Sequence, residues 1–286
     1  MAVIGLLAHA GRATALDVEE RTARWLSELG HEVRRLTAMD AAPGPDGRSP
    51  AEPTPALEGM DLIVSLGGDG TMLRTVRLAA PAAIPVLGVN LGHLGYLTVV
   101  EPDGLSEALQ RFLAGEHRID ARMTLEVVVR DASGVVTGRR LALNDVVLQR
   151  PGGLHTIRVQ VSVSGRSFVR FAADALIVAT PTGSTAYNLS ARGPIASPGS
   201  RVQILTPVAP HSLFDRSLVV SADEPITIVP EADRLADLVV DGYLLDTLKP
   251  NQEVEVRAGP VDARLVSFGE RDFEGILLRK FHLAED

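Results

Sequence analysis

The chain has 286 residues, enough for one large or two ordinary domains, and its 45% hydrophobic and 22% charged content is typical of a globular protein. A net charge of −8, without any block of lysine or arginine, argues against nucleic acid as the main partner. Because the chain has no cysteine, disulfides, thiolate catalysis and cysteine–zinc sites are excluded.

The start of the chain has a pattern typical of an α/β domain. Val3–Leu7 is a short apolar strand, Thr14–Leu29 has the spacing of an amphipathic helix, and His31–Leu36 returns as a strand, so a parallel sheet is predicted. No positively charged segment precedes the first strand and no apolar run is long enough to span a bilayer, so we expect a cytoplasmic protein. The segment Asp40–Pro55 is rich in Pro, Gly, Ala and Asp, and we interpret it as a loop, either a lid or, more simply, a surface insertion.

A glycine turn follows the next predicted strand. Asp61–Leu66 is a continuous apolar run, Gly67–Thr71 reads Gly-Gly-Asp-Gly-Thr, and Met72–Leu78 has helical spacing. Glycines let a ligand approach the backbone, and the N–H groups that start the helix favour an anion such as phosphate. A carboxylate in that turn, Asp69, suits a group that takes a proton or meets a cation beside phosphates. The simpler interpretation is that Asp69 or Thr71 only caps the helix.

Three polar turns are predicted to converge at one edge of this sheet. Another buried strand, Pro85–Val89, ends in the polar segment Asn90–Tyr96, and Leu105–Leu113 follows as a helix. Ligands of open α/β sheets bind beyond the carboxyl ends of the strands. The turn His9–Arg12, the glycine turn and Asn90–Tyr96 all follow strands in this way, which favours a functional role for each of them.

From Arg122 onward the pattern changes to strands separated by short turns, which predicts a second, all-β domain. The predicted strands are Thr124–Arg130, Val135–Leu148, Thr156–Val163, Ser167–Phe171, Val202–Leu205, Leu218–Val220, Ile226–Val229, Leu238–Val240, Val254–Arg257 and Arg264–Phe268.

Two polar segments interrupt this all-β pattern. Asn144 and Asp145 lie inside the otherwise apolar predicted strand Leu141–Leu148, where an acid needs partners, and vicinal ribose hydroxyls would supply them. The run Asp174–Ser190 is a strand followed by a turn rich in hydroxyl groups, which offers donors and acceptors to a polar ligand. The alternatives are a solvent-facing acid and a turn whose hydroxyls only cap.

Together these motifs resemble the NAD kinase family over nearly the whole chain. They are the glycine turn, Asn90–Tyr96, Asn144-Asp145, the Thr-Pro-Thr-Gly-Ser-Thr-Ala-Tyr run that ends at Tyr187, and the closing Leu278–Phe281, in that family's order and at similar spacing. The Gly-Gly-Asp-Gly motif is shared with diacylglycerol kinases, sphingosine kinases and, more loosely, phosphofructokinases, whereas the hydroxyl-rich run is more specific.

The resemblance implies a fold and an activity. It implies a Rossmann-like α/β domain with a parallel sheet over residues 1–121, an all-β NAD-binding domain over 122–268, and a tail, 269–286, that returns to the first domain. The implied reaction is phosphorylation of the adenosine ribose 2′-hydroxyl of NAD by ATP or polyphosphate, giving NADP. It also implies Mg²⁺, which the substrate phosphates would hold, and dimers or tetramers with sites shared across subunits.

The resemblance also assigns roles to residues of this chain. Asp69 would be the base, and the phosphate-binding residues would be Gly67, Gly68, Gly70 and Thr71. Asp174 would bind the far end of the dinucleotide, near the nicotinamide amide, and Tyr187 would border the adenine. The full set implied to bind NAD is Asp69, Gly70, Tyr96, Asn144, Asp145, His155, Asp174, Thr185, Ala186, Tyr187, Asn188, Leu189, Ser190 and Ala209.

Two positions depart from the family pattern, and two other functions stay open from the sequence. Many relatives have Glu where this chain has Asp145, and many have Gly where it has Ala175. A lipid or sphingoid-base kinase would share the glycine turn, although the polar turn at the end of the hydroxyl-rich run argues against it. A non-catalytic NAD-binding paralogue is the other alternative, although the intact Asp69 argues against it.

Overall fold

The computed structural model describes residues 1–37, 55–92, 95–152, 155–212, 214–231, 234–269 and 273–282, so the predicted loop from Asp40 lies outside the described residues up to position 54. Two compact units divide the described residues. The first unit holds those up to 37, those of 55–122 and those from 262 onward, and the second holds those of 123–261.

The helices and strands alternate at first and then give way to strands. The first elements are β1 (Val3–Ala8), α1 (Ala13–Glu28), β2 (Glu32–Leu36), β3 (Leu62–Gly67), α2 (Asp69–Ala79), β4 (Val86–Asn90), α3 (Leu105–Leu113) and β5 (Arg118–Arg122). The next are β6 (Leu125–Arg130), β7 (Val136–Ala142), β8 (Asp145–Gln149), β9 (Ile157–Val163), β10 (Arg166–Ala173), β11 (Ala175–Ala179), α4 (Tyr187–Ser190) and β12 (Val202–Val208). The last are β13 (Leu218–Ser221), β14 (Ile226–Pro230), β15 (Ala236–Val240), β16 (Tyr243–Leu248), β17 (Glu253–Ala258), β18 (Ala263–Ser267) and α5 (Phe273–Phe281).

The first unit has the predicted α/β fold, with helices packed on a mostly parallel sheet. Its sheet has the strand order β2-β1-β3-β4-β18-β5, with parallel pairing from β2 to β18 and an antiparallel edge strand β5. Every residue of β3 and β4 is buried, because elements cover both faces of the sheet, and this explains their continuous apolar sequence. Each fully buried Leu or Ile of this core contributes about 1.5–3 kcal/mol.

The pairing of strand β18 shows that the chain returns to this unit earlier than predicted. The sequence placed Arg264–Phe268 in the all-β domain and the return at residue 269. In the structure β18 pairs with β4 and β5, so the return begins at residue 262. The apolar alternation of a strand shows which face is buried but not which sheet the strand joins, and β5 itself was not predicted.

The second unit confirms the predicted all-β class. It has two six-stranded antiparallel sheets, with the orders β10-β9-β14-β17-β6-β7 and β13-β12-β11-β8-β15-β16, and side chains of both sheets form one apolar core. The predicted strand Leu141–Leu148 is wrong, since the chain leaves β7 after Ala142 and enters β8 at Asp145. Strand β16 was also missed. In the described part of the chain, no helix has the length and apolar character that crossing a membrane requires.

Candidate functional site

Three turns lie together at the carboxyl edge of the first unit's sheet. The backbone N–H of His9 donates to the carbonyl of Leu66 at 3.0 Å, and that of Leu91 donates to the carbonyl of Gly67, also at 3.0 Å. The guanidinium of Arg12 donates to the carbonyl of Leu91 at 2.7 Å. The turns after β1, β3 and β4 are therefore joined by direct hydrogen bonds, at the edge where α/β sheets bind ligands.

Asp69 is the first residue of α2, and its carboxylate is held by the segment after β4. One oxygen accepts the backbone N–H of Tyr96 at 2.9 Å and the other accepts that of Leu97 at 3.1 Å. A Cβ on Gly95 would lie 2.3 Å from an Asp69 oxygen, so only glycine fits there. Each carboxylate oxygen has a second lone pair, and Asp69 can therefore still accept a hydrogen bond from a ligand.

The glycines of the turn have different roles. An added Cβ at Gly68 or Gly70 would have no atom of the described residues within 4 Å, and neither residue has a left-handed φ. The described part of the chain thus gives no steric reason for these two glycines, and they leave bare backbone beside the N-terminus of α2. Such a surface suits phosphate groups.

Gly67 and Thr71 pack against each other instead. A Cβ on Gly67 would lie 2.2 Å from the Thr71 hydroxyl oxygen, and Thr71 is only 2% exposed. The backbone N–H of Thr71 already donates to the carbonyl of Gly68 at 2.9 Å. This packing is a correction to the sequence interpretation, because the Thr71 hydroxyl lies inside the turn and is not presented to a phosphate.

Tyr96 connects the Asp69 carboxylate to the C-terminal helix. The ammonium nitrogen of Lys280, in α5, lies 4.1 Å from the centroid of the Tyr96 ring, which is the geometry of a cation–π contact. Burial, with a smaller contribution from the charge of Asp69, raises the pKa of the Tyr96 phenol. The closing Leu278–Phe281 motif therefore places a cation on the residue whose backbone holds Asp69.

In the second unit, Asp145 is a buried carboxylate without a hydrogen-bond donor. Its side chain is part of a residue only 5% exposed, and no described residue donates a hydrogen bond to it. Burial, followed by the nearby charge of Asp241, raises the pKa of the Asp145 carboxyl to about 7. The carboxylate oxygens are not fully enclosed, so a ligand can still reach them, and a strongly shifted pKa is typical of functional sites. A ligand that brings hydroxyl donors would satisfy this group.

The hydroxyl-rich turn lies directly against Asn144. The backbone N–H of Thr180 donates to the Asn144 carbonyl at 2.8 Å, and the Thr180 hydroxyl donates to the Leu143 carbonyl at 2.6 Å. A Cβ on Gly183 would lie 2.0 Å from the Asn144 carbonyl oxygen, so this contact requires glycine. The structure thus brings together the two polar segments that the sequence identified separately in this unit.

Within the turn, some hydroxyl and amide groups are structural and others are accessible. The Asn188 side chain is fully buried, donates to the carbonyls of Ser184 and Pro194, and accepts the Thr206 hydroxyl at 2.7 Å. We therefore correct its predicted ligand contact, since all of this side chain's bonds stay within the protein. Tyr187, which is 40% exposed, and Ser190 remain accessible, and their neighbours Thr185, Ala186 and Leu189 are half-buried.

Of the remaining predicted NAD contacts, Asp174 and Ala209 lie at the opposite end of strands β11 and β12, and His155 lies at the start of a strand of the other sheet. Asp174 precedes β11, donates its N–H to the Val208 carbonyl at 3.0 Å, and forms a 3.4 Å ion pair with Arg150. Ala209, in the left-handed region with φ 45°, follows β12 at this end. His155 precedes β9, whose first residue pairs with Ala173. Six residue steps separate Asp174 from Thr180, so the two ends lie about 20 Å apart.

Sequence reasoning missed three residues of these sites. Gly95 and Lys280 lie inside the motifs Asn90–Tyr96 and Leu278–Phe281, but the sequence indicated no separate role for either residue. For Asp241 the sequence indicates only a hairpin turn, because Asp-Gly is a common pair in two-residue turns. Among the described residues, no group of three or more His, Asp or Glu side chains is arranged to hold a metal ion.

Comparisons with known proteins agree with one another. A family model described as the ATP-NAD kinase N-terminal domain matches residues 48–117, and one described as the ATP-NAD kinase C-terminal domain matches residues 143–268. The chain is 42% identical to the NAD kinase of Heliobacterium modesticaldum, with 98% of each chain covered. It is 36% identical to the NAD kinase of Nocardia farcinica, with 97% of this chain and 90% of the relative covered.

Solved structures show the same similarity. An NAD kinase from Archaeoglobus fulgidus in complex with ATP has a TM-score of 0.74 and 26% identity, with 100% of both chains covered. Yeast NADH kinase complexed with NADH shares the fold, with a TM-score of 0.87, 23% identity, and coverage of 100% of this chain and 89% of that one.

Proposed function

The chain belongs to the NAD kinase family, and from this premise we propose that it transfers the terminal phosphoryl group of ATP to the adenosine ribose 2′-hydroxyl of NAD, giving NADP. The observation that carries this proposal is the buried, donor-free Asp145 carboxylate, which directly follows Asn144, the residue whose carbonyl accepts a hydrogen bond from Thr180 of the hydroxyl-rich run. A dinucleotide brings both the ribose hydroxyls that such an acid needs and an adenine ring for the exposed Tyr187. Asn144, half-buried in the same turn, supplies an amide to the same ligand.

The first unit supplies the donor side of the reaction. The bare backbone at Gly68 and Gly70 and the N-terminus of α2 receive the donor's phosphates. ATP is the proposed donor, since the Archaeoglobus fulgidus relative was solved with ATP, and polyphosphate is the alternative that the assay below compares.

Asp69 is the proposed base. Its two backbone hydrogen bonds fix the direction of the carboxylate, and each oxygen keeps a lone pair that can take the proton of a hydroxyl. The 2′-hydroxyl loses its proton to Asp69 as its oxygen bonds to the γ-phosphorus. The bond from that phosphorus to the β–γ bridging oxygen breaks, and ADP leaves with the electron pair. Alignment and charge neutralisation account for most of the catalysis of phosphoryl transfer.

Mg²⁺ is the proposed metal, and the donor's phosphates hold most of its coordination sphere. The Asp69 oxygens already accept backbone N–H groups, which supports coordination of the ion mainly by phosphate oxygens. In the part of the chain that the structure describes, no group of three or more His, Asp or Glu side chains is arranged to hold a metal ion. When bound, the ion offsets charge on the phosphates.

We further propose a homodimer or homotetramer in which one NAD contacts two subunits. The separation of about 20 Å between the two ends of the sheet supports this arrangement. In it, Asp145 and Tyr187 bind the adenosine end of an NAD molecule, while Asp174, His155 and Ala209 bind the nicotinamide end of the NAD held by a neighbour. A cytoplasmic location stays a prediction from the sequence.

One assay tests the activity. Purified protein, Mg²⁺ and NAD are mixed with ATP or with polyphosphate, and NADP is detected with an NADP-specific dehydrogenase. We expect NADP with ATP, and no NADP with either donor would overturn the proposed function.

Mixing subunits tests the shared site. The variants Asp145→Asn and Asp174→Asn should each lose activity, and mixing them under subunit exchange should restore part of it, because one site in a mixed dimer then has both intact halves. No recovery, with mixed oligomers shown by mass spectrometry, would place both ends of the site in one subunit.

A further inference from the structure

The Asp241 carboxylate is buried and holds the turn that carries Asn144 and Asp145. One of its oxygens accepts the backbone N–H of Leu143 at 2.8 Å. The other accepts the N–H of Asn144 at 2.8 Å and that of Asp145 at 3.1 Å. Asp241 is 6% exposed, so these bonds are shielded from water.

A fourth hydrogen bond runs in the opposite direction. The backbone N–H of Asp241 donates to the carbonyl of Asp145 at 3.0 Å, directly after the pairing of β15 with β8. The turn between β7 and β8 is therefore tied to the end of β15 through both the main chain and the side chain of one residue.

A hairpin turn alone does not explain a buried carboxylate at this position. Asp241 and Gly242 have φ values of 47° and 79° and connect β15 to β16, which is the two-residue turn that Asn-Gly also forms. An Asn would satisfy that turn without a buried charge. The charge lies close enough to Asp145 to raise the pKa of its carboxyl, second only to burial as a cause.

The surroundings of Asp145 make Asp241 its main charged neighbour among the described residues. Strand pairing sets the uncharged Ala179 opposite Asp145 on β11, and on the other side Val240 precedes Asp241 at the end of β15. The other buried charged residue near this turn in sequence is Arg140, on β7, the strand that leads into it.

We propose that Asp241 is a positioning residue of the NAD site: its carboxylate fixes the turn that presents Asn144 and Asp145. Its negative charge also adds to the effect of burial in disfavouring the ionised form of Asp145. This inference rests on the proposed function of the same site. An ionised Asp145 accepts hydrogen bonds from two ribose hydroxyls, whereas a protonated one has less capacity to accept them. NAD affinity then falls as the pH drops through about 7, the pKa of the Asp145 carboxyl.

The test is direct binding of NAD, without a phosphoryl donor, to full-length protein by calorimetry between pH 5.5 and 8.5. In Asp241→Asn, one of the three N–H groups loses its acceptor, and we expect the Kd at pH 8 to rise about tenfold. Removing the second negative charge should also move the midpoint of the pH dependence to lower pH. A merely structural role would change the Kd but not this midpoint. The matched control is Asp223→Asn, an exposed acid of the same unit that should change neither quantity.

The outcomes separate this inference from the proposed function. If wild-type protein neither binds NAD nor forms NADP, the proposed function fails. If wild-type protein does both and Asp241→Asn keeps the wild-type Kd and midpoint, the positioning role is overturned. If Asp241→Asn does not fold, Asp145→Asn takes its place: it leaves Asp241 and its three bonds intact, and its weaker NAD binding should be independent of pH. A pH dependence that persists in Asp145→Asn overturns the proposal.

Discussion

The backbone nitrogen of Tyr96 lies 2.9 Å from a carboxylate oxygen of Asp69, and this hydrogen bond joins the turn after β3 to the segment after β4. Leu97 donates to the other oxygen, so the proposed base has one fixed direction before any substrate binds. Preorganisation of this kind reduces the entropy that must be lost at the reacting centre.

Asp69→Asn tests this role directly. The amide cannot take a proton, so we expect kcat to fall about 10²- to 10⁴-fold, the range that a general base contributes. An Asn oxygen can still accept one of the two N–H groups, and the free energy of unfolding should fall by only about 1 kcal/mol. NAD binding should stay near the wild-type value. The exposed Asp103→Asn is the control, and a kcat for Asp69→Asn within about threefold of wild type would rule Asp69 out as the base.

Gly70→Ala should separate stability from phosphate binding. Gly70 lies in α2 with open space where a Cβ would point, so alanine should raise the free energy of unfolding by up to about 1 kcal/mol. The same Cβ would occupy the surface assigned to the donor's phosphates, and we expect the KM for ATP to rise about tenfold or more. In the control Gly104→Ala, the nearest atom to the new Cβ is 3.8 Å away, and kinetics should not change. An unchanged KM for ATP in Gly70→Ala would contradict the assignment.

Much of the fold and of the proposed donor site could be predicted from the sequence because local patterns encode them. The apolar run of β3, the glycines and the helical spacing after them specify a strand–turn–helix unit without any distant contact. The same is true of α3, which has the predicted bounds Leu105–Leu113. Pairing partners are not encoded in this way, and for that reason the strand at Ala263–Ser267 was assigned to the wrong sheet.

The chemical roles within the second unit were harder to predict. Asn188 and Ser190 look equally polar in the sequence, but only burial shows that the Asn188 side chain bonds entirely within the protein. Asp241 is almost a hundred residues from the turn that it holds, and an Asp-Gly pair predicts a hairpin whether or not the side chain is buried. Burial and long-range hydrogen bonding depend on the tertiary structure, so no local pattern could have indicated them.

Lys280→Ala should weaken the support of the Asp69 carboxylate from the C-terminal helix. A cation–π contact is worth about 0.5–1 kcal/mol at a partly exposed site. If that energy helps to order the Tyr96 segment, its loss should lower kcat about two- to fivefold and leave the KM for NAD unchanged. Lys280→Arg keeps the cation and should restore kcat. The neighbouring exposed Arg279→Ala is the control, and an equal loss in Lys280→Arg and Lys280→Ala would contradict the cation–π role.

The raised pKa of Asp145 has a consequence for stability. The carboxyl titrates at about 7 in the folded protein against an ordinary 3.8, so the folded state binds this proton more tightly than the unfolded state does. The stabilisation that this proton provides is fully present below about pH 3.8 and is lost as the pH rises through 7. Above pH 7 the ionised, buried carboxylate opposes folding by up to about 4 kcal/mol.

Asp145→Asn should therefore be more stable than wild type at pH 8 and lose that advantage towards pH 5, where wild-type Asp145 is protonated. Urea unfolding at the two pH values measures the difference in free energy. The same variant should bind NAD more weakly, because the amide keeps only one acceptor oxygen for ribose hydroxyls. This combination of higher stability and weaker binding is typical of a strained functional residue. Equal stability of the two proteins at pH 8 would mean that the buried carboxylate is compensated in the folded state, and Asp145 would then lose its place as the donor-free group on which the NAD site is built.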